Sequence, residues 1–120
     1  MKTMKLPTTF EDLIEEATAL ELYKALVLQL NKDFLYANID LDFDVAILPS
    51  HLKSLLHDTV YKLIQNKFTE YLNLLYIIDV SEPAIKALNG DDMVELAGQV
   101  SFLILKREWQ KVWFRNKYSQ

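Results

Sequence analysis

Apolar side chains recur every three or four positions along most of this chain, the spacing of a helix with one buried face. The first such stretch begins near Thr8, where Thr8 and Glu11 have the spacing of a capping box. Phe10, Leu13, Ile14 and Ala17 then share one face, and Glu11, Asp12, Glu15 and Glu16 the other. After Thr18 the stripe moves. Leu22, Tyr23, Leu26, Val27, Leu30 and Phe34 point almost opposite to the first set at about 100° per residue. Thr18 with Glu21 repeats the capping spacing. Residues 8–36 are therefore either one helix buried on different sides at its two ends or two helices broken near 18, with the break slightly favoured.

Residues 38–48 alternate apolar and polar with period two, the signature of a strand. A lone strand has nothing to pair with. The expectation is an extended connector that lays Ile39, Leu41, Phe43, Val45 and Ile47 on the helices, with pairing to the same segment of a second copy as the alternative. Pro49-Ser50 opens an amphipathic helix over 50–78, about 40 Å long. Its stripe runs from Leu52 and Leu56 through Tyr71 and Leu74 to Ile78. Ser81-Glu82-Pro83 starts a short helix over 82–88, which Asn89-Gly90 should end in a left-handed turn. Asp91 is the expected cap of a last helix over 92–117, with Met93, Leu96, Ala97, Val100, Leu103 and Ile104 as its core stripe. The fold class is all-α. Three substantial helices plus the short one form a helical bundle, and 120 residues make one domain, 1–120.

Composition sharpens this picture. Half of the chain (51%) is apolar, with only 2 glycines and 3 prolines, which argues against a turn-rich β fold and against disorder. There are 0 cysteines, so disulfides, thiolate metal sites and thiol catalysis drop out. No apolar run follows Lys2 and Lys5, and no run of about 18 uncharged apolar residues exists, so neither a secretory leader nor a membrane span is expected. The expected location is the cytoplasm. The net charge of −4 is unevenly spread. Residues 106–120 hold Lys106, Arg107, Lys111, Arg115 and Lys117 against Glu108 alone, on an otherwise acidic chain.

That basic end holds the best candidate chemistry. The core stripe of the last helix projects onward onto Arg107, Lys111 and Arg115, with Glu108 near its edge, so cations stand where the pattern asks for hydrophobes. Such charges must be paired or solvated. Acidic neighbours, a helix end running into water, or an anion site would each satisfy them. If the helices run up and down, Glu11, Asp12, Glu15 and Glu16 are candidate intramolecular partners. Trp109 and Trp113 sit four apart. They fit a core or subunit interface, or stacking on single-stranded bases beside phosphate-neutralising cations.

Other constellations fail on spacing. His51 and His57 lie six apart rather than the four that puts two metal ligands on one helix face. Asp40, Asp42 and Asp44 copy the start of a calcium loop, but Val45 replaces its glycine and His51 its final glutamate. No phosphate loop or nucleophile motif is present, so no catalytic residue, cofactor or metal is expected. The favoured function is a small helical interaction or scaffold module, homodimeric because residues 19–36 carry apolar groups at many angles and need cover on most sides. The alternative is binding of nucleic acid or another polyanion through Arg107, Lys111, Arg115, Trp109 and Trp113.

Overall fold

The computed structural model describes residues 5–118, so Met1–Met4 and residues 119–120, with what was expected of them, lie outside it. The described residues form six helices and no strand. They are α1 (Phe10–Ala19), α2 (Tyr23–Tyr36), α3 (Pro49–Asn66), α4 (Phe68–Ile78), α5 (Glu82–Lys86) and α6 (Met93–Tyr118). The all-α bundle is as expected; its divisions differ in instructive ways.

The break in the first stretch is real and falls at residues 20–22. Leu22 N–H donates to the Ala17 carbonyl at 2.8 Å and Glu21 N–H to that of Thr18 at 3.0 Å, with Glu21 at φ 58°. This is a Schellman ending, which satisfies carbonyls that the last turn leaves open. It needs a left-handed residue, and a glutamate fills the position glycine normally takes. Asn38 (φ 63°) and Asp79 (φ 68°) end α2 and α4 the same way. Neither glycine has a positive φ, so the expected left-handed turn at Asn89-Gly90 does not form. Instead the Asn89 side chain accepts from Asp91 N–H at 3.0 Å.

Two caps sit one residue later than expected. Thr9, not Thr8, accepts from Asp12 N–H at 3.1 Å. Asp92, not Asp91, accepts from Val94 and Glu95 N–H at 2.9 and 3.1 Å. Ser81 caps α5 as expected, accepting from Ala84 N–H.

The single helix expected over 50–78 is two helices. Lys67 leaves the helical region at φ −142° and ψ 60°. Every side chain from Gln65 to Glu70 is exposed, so no buried contact holds the rod straight there. Bending at Lys67 lets α4 lie against α2 and α6 while α3 continues to pack on α6.

The alternating segment 38–48 is an extended strap. Ile39, Leu41, Phe43, Val45 and Ile47 are half-buried; Asp40, Asp42 and Asp44 face water. The Asn31 amide takes the part of a neighbouring strand, donating to the Phe43 carbonyl at 2.9 Å and accepting from its N–H at 3.0 Å. Tyr23 pins the far end by donating to the Ile47 carbonyl at 2.6 Å.

α6 is the axis of the bundle. Its 26 residues span about 39 Å at the helical rise, close to the 41 Å long dimension of the molecule. It packs against α1, α2, α3 and α4, burying Ala97, Val100, Ile104, Leu105, Trp109 and Val112. The His57–Val94 hydrogen bond and the Asp33–Lys111 ion pair set α3 and α2 against its two halves.

Candidate functional site

Three cations of α6, Arg107, Lys111 and Arg115, are built into two different settings. Lys111 lies at the seam with α2, where its Nζ is 2.8 Å from Asp33 Oδ2 and 3.4 Å from Glu108 Oε1. The Gln29 amide donates to the same Asp33 oxygen at 3.1 Å, and Arg115 Nη1 donates to Gln29 Oε1 at 2.8 Å. Helical spacing makes the set: Gln29 and Asp33 are one turn apart on α2, as Glu108, Lys111 and Arg115 follow one another on α6. Arg107 instead reaches the end of α4. Its Nε donates to the Asp79 carbonyl at 3.0 Å and its Nη2 to Asp79 Oδ2 at 3.3 Å. A cation there also meets the negative end of the α4 dipole.

Neither Arg107 nor Lys111 meets Glu11, Asp12, Glu15 or Glu16. Glu11 pairs at 3.6 Å with Lys53 on α3, because α1 lies beside that part of the bundle. The expected acidic partners therefore give way to Asp33 and Glu108 for Lys111 and to Asp79 for Arg107.

Glu108 is the unusual member. It is 0% exposed, and as a carboxylate it has no donor in hydrogen-bonding geometry on either oxygen. Lys111 is close enough for attraction only. Burial raises its pKa; the hydrogen bond to Asp33 and the Asp33 charge raise it further; Lys111 offsets part of this. The result is a pKa pushed up to about 9, so Glu108 is an uncharged acid at neutral pH whose hydroxyl serves Asp33. Burial opposes the Asp33 charge too. Hydrogen bonds from Glu108, Lys111 and Gln29, together with the Lys111 charge, outweigh burial and hold Asp33 below the ordinary carboxylate range. One proton and one cation thus stabilise two buried carboxyl groups. The arrangement locks α2 to α6, and the clefts described below are lined by other residues.

The tryptophans part company. Trp109 is wholly buried with its Nε1 unpartnered, so it belongs to the core and offers no face to a ligand. Trp113 is half-buried, meets Phe114 edge-on at 5.1 Å, and has Lys117 Nζ 5.5 Å from its ring centre. Past it, Phe114 and Tyr118 stack at 5.9 Å on the exposed end of the helix.

The histidines are separate. His51 is exposed, and His57 Nε2 donates to the Val94 carbonyl at 2.8 Å, tying α3 to the start of α6. Among the described residues no three His, Cys, Asp or Glu side chains are grouped to hold a metal ion. No described helix is long and apolar enough to cross a membrane.

Sequence reasoning missed Asp33 and Gln29. A signal was there: Asp33 stands seven residues after Leu26 and next to Phe34, inside the apolar stripe of α2. A carboxylate in that register requires a buried cation, and Lys111 is the cation on the matching face. No protein-family model, no curated protein and no solved structure matches the chain.

Proposed function

We propose that this chain is a protein-interaction module that works as a homodimer. The observation that carries the reading is the amount of large apolar surface left uncovered on the outer faces of its helices. Phe68, Leu72 and Tyr76 repeat every four residues along α4 and are 54%, 51% and 84% exposed. Leu28, Leu35 and Tyr36 on α2, and Leu48 and Leu55 at the start of α3, are exposed as well. Scattered single hydrophobes are normal on a monomer, whereas rows and clusters mark contact surfaces. The most polar interior feature, the Asp33–Glu108–Lys111 set, is explained by helix locking and leaves no group asking for a substrate. The lack of cysteine fits work in a reducing cytoplasm.

Sedimentation velocity at micromolar concentration tests this. The expected particle has twice the 14.0 kDa mass of the chain. A monomer across the whole concentration range would remove the proposal. Polyanion binding at the end of α6 is the second reading, favoured by the exposed Phe114–Tyr118 stack beside Lys117. The burial of Trp109 takes away one of its two stacking platforms. Titration with single-stranded RNA at two salt concentrations would separate the readings, since phosphate neutralisation makes affinity fall steeply with salt.

A further inference from the structure

We infer that the acidic strap and the basic, aromatic end of α6 are the two halves of one contact, made reciprocally between two copies of the chain. This rests on the homodimer reading and says which surfaces meet.

The strap runs as a ridge between two clefts. The larger, about 640 Å³, has Leu48 and Leu55 exposed in its wall and Asp40, Asp42, Asp44 and Asp58 around it. No lysine or arginine is among the described residues that line it. The second cleft, about 420 Å³, shares Asp40 and Asp42, is walled by exposed Leu35 and Tyr36, and carries one cation, Lys32, against those two aspartates. The surface is thus apolar in its floor and walls and negative along its crest. An occupant that suits it presents apolar bulk flanked by positive charge.

The chain carries such a feature at its other end. Residues 114–118 of α6 are exposed throughout. Phe114 and Tyr118 stack along one line of that turn, and at about 100° per residue Lys117 falls to one side of them, while Arg115 on the other side is held by Gln29. Aromatic rings supply the bulk, and Lys117 meets the aspartates. Opposite charges arranged this way steer association and set its register more than its strength. Each copy owns one strap and one α6 end, so a two-fold arrangement uses both twice and closes on itself. The α4 row lacks the strap's line of aspartates, so the charge argument selects the strap.

Charge reversal on the full-length chain is the test, read by sedimentation equilibrium with circular dichroism as the check on folding. The strap variant carries Asp40→Lys and Asp58→Lys, and the end variant Asn116→Glu and Lys117→Glu, all at exposed positions. Each variant alone is expected to dimerise roughly tenfold or more weakly than the parent, because like charges then face each other at both contacts. Mixed one to one, the two are expected to recover the parent affinity as a heterodimer. The single reversals Asp40→Lys and Lys117→Glu give the same readout should a double variant lose helix. Variants that dimerise as tightly as the parent, or that fail to recover on mixing, overturn the strap contact and leave the homodimer standing. A monomeric parent overturns both.

Discussion

Replacing Glu108 with glutamine should make the protein more stable at neutral pH, by an amount that grows with pH. In the unfolded chain the carboxyl group titrates near its ordinary value of 4.5, and in the fold near about 9. Below pH 4.5 both states hold the proton and titration costs nothing. Between those two values the unfolded chain releases the proton while the folded chain keeps it. Each pH unit in that window removes about 1.4 kcal/mol of stability. At pH 7, about 2.5 units into the window, the loss is on the order of 3 kcal/mol, a large part of the roughly 5–15 kcal/mol that holds a domain together. Glutamine keeps the side-chain length, stays neutral at every pH, and can donate an amide hydrogen to Asp33 as the acid does. Its oxygen can accept from Lys111. Urea unfolding of parent and Glu108→Gln at pH 5, 7 and 9 reads the gap from the midpoints when the slopes agree. The expected gap is small at pH 5 and widens through pH 7 to pH 9. A gap that stays constant, or a glutamine variant less stable at every pH, would refute a retained proton on Glu108.

Other outcomes follow from the same contacts. Lys111→Met leaves Asp33 buried without its cation and should destabilise the protein by about 3 kcal/mol at pH 7 in urea melts, the lower end for broken buried pairs because Lys111 is partly solvated. Glu21→Gly relieves a left-handed glutamate at an exposed position and should raise stability by about 1 kcal/mol, seen as a higher melting temperature. Asn31→Ala removes both bonds that hold the middle of the strap and should cost about 1–3 kcal/mol while making residues 38–47 the first site of limited proteolysis.

How much of this was legible in the sequence depended on whether the signal was local. The apolar stripes located every long helix, and the reversal of the stripe near Thr18 disclosed the break between α1 and α2. The bend at Lys67 was hidden because Ile64 and Tyr71, its nearest buried neighbours, lie on the same side of an unbroken helix; periodicity is unchanged by it. The caps slipped by one residue where two capping residues stand side by side, as in Thr8-Thr9 and Asp91-Asp92, since spacing alone does not choose between them. The helix ends near 18, 36 and 78 were placed by the stripes, but their left-handed closing turns were not, because Glu21, Asn38 and Asp79 occupy positions where a reader looks for glycine. At the seam, Lys111 was recognised as a cation on a core face, but its partner was sought on α1. Which helix lies beside α6 is a matter of tertiary packing, and the charges of Glu15 and Glu16 resemble that of Asp33 until burial separates them. Similarly, nothing in the spacing of Trp109 and Trp113 tells which one the bundle encloses.

The central claim is that a second copy covers the apolar groups this bundle leaves open. An isotope-filtered NOE spectrum of a mixture of labelled and unlabelled chain tests it most directly, because it records only contacts between copies. The account predicts cross-peaks joining the Phe114 and Tyr118 rings to the methyls of Leu48 or Leu55. A filtered spectrum empty of such peaks, from a particle tumbling as a single 14.0 kDa chain, would contradict it.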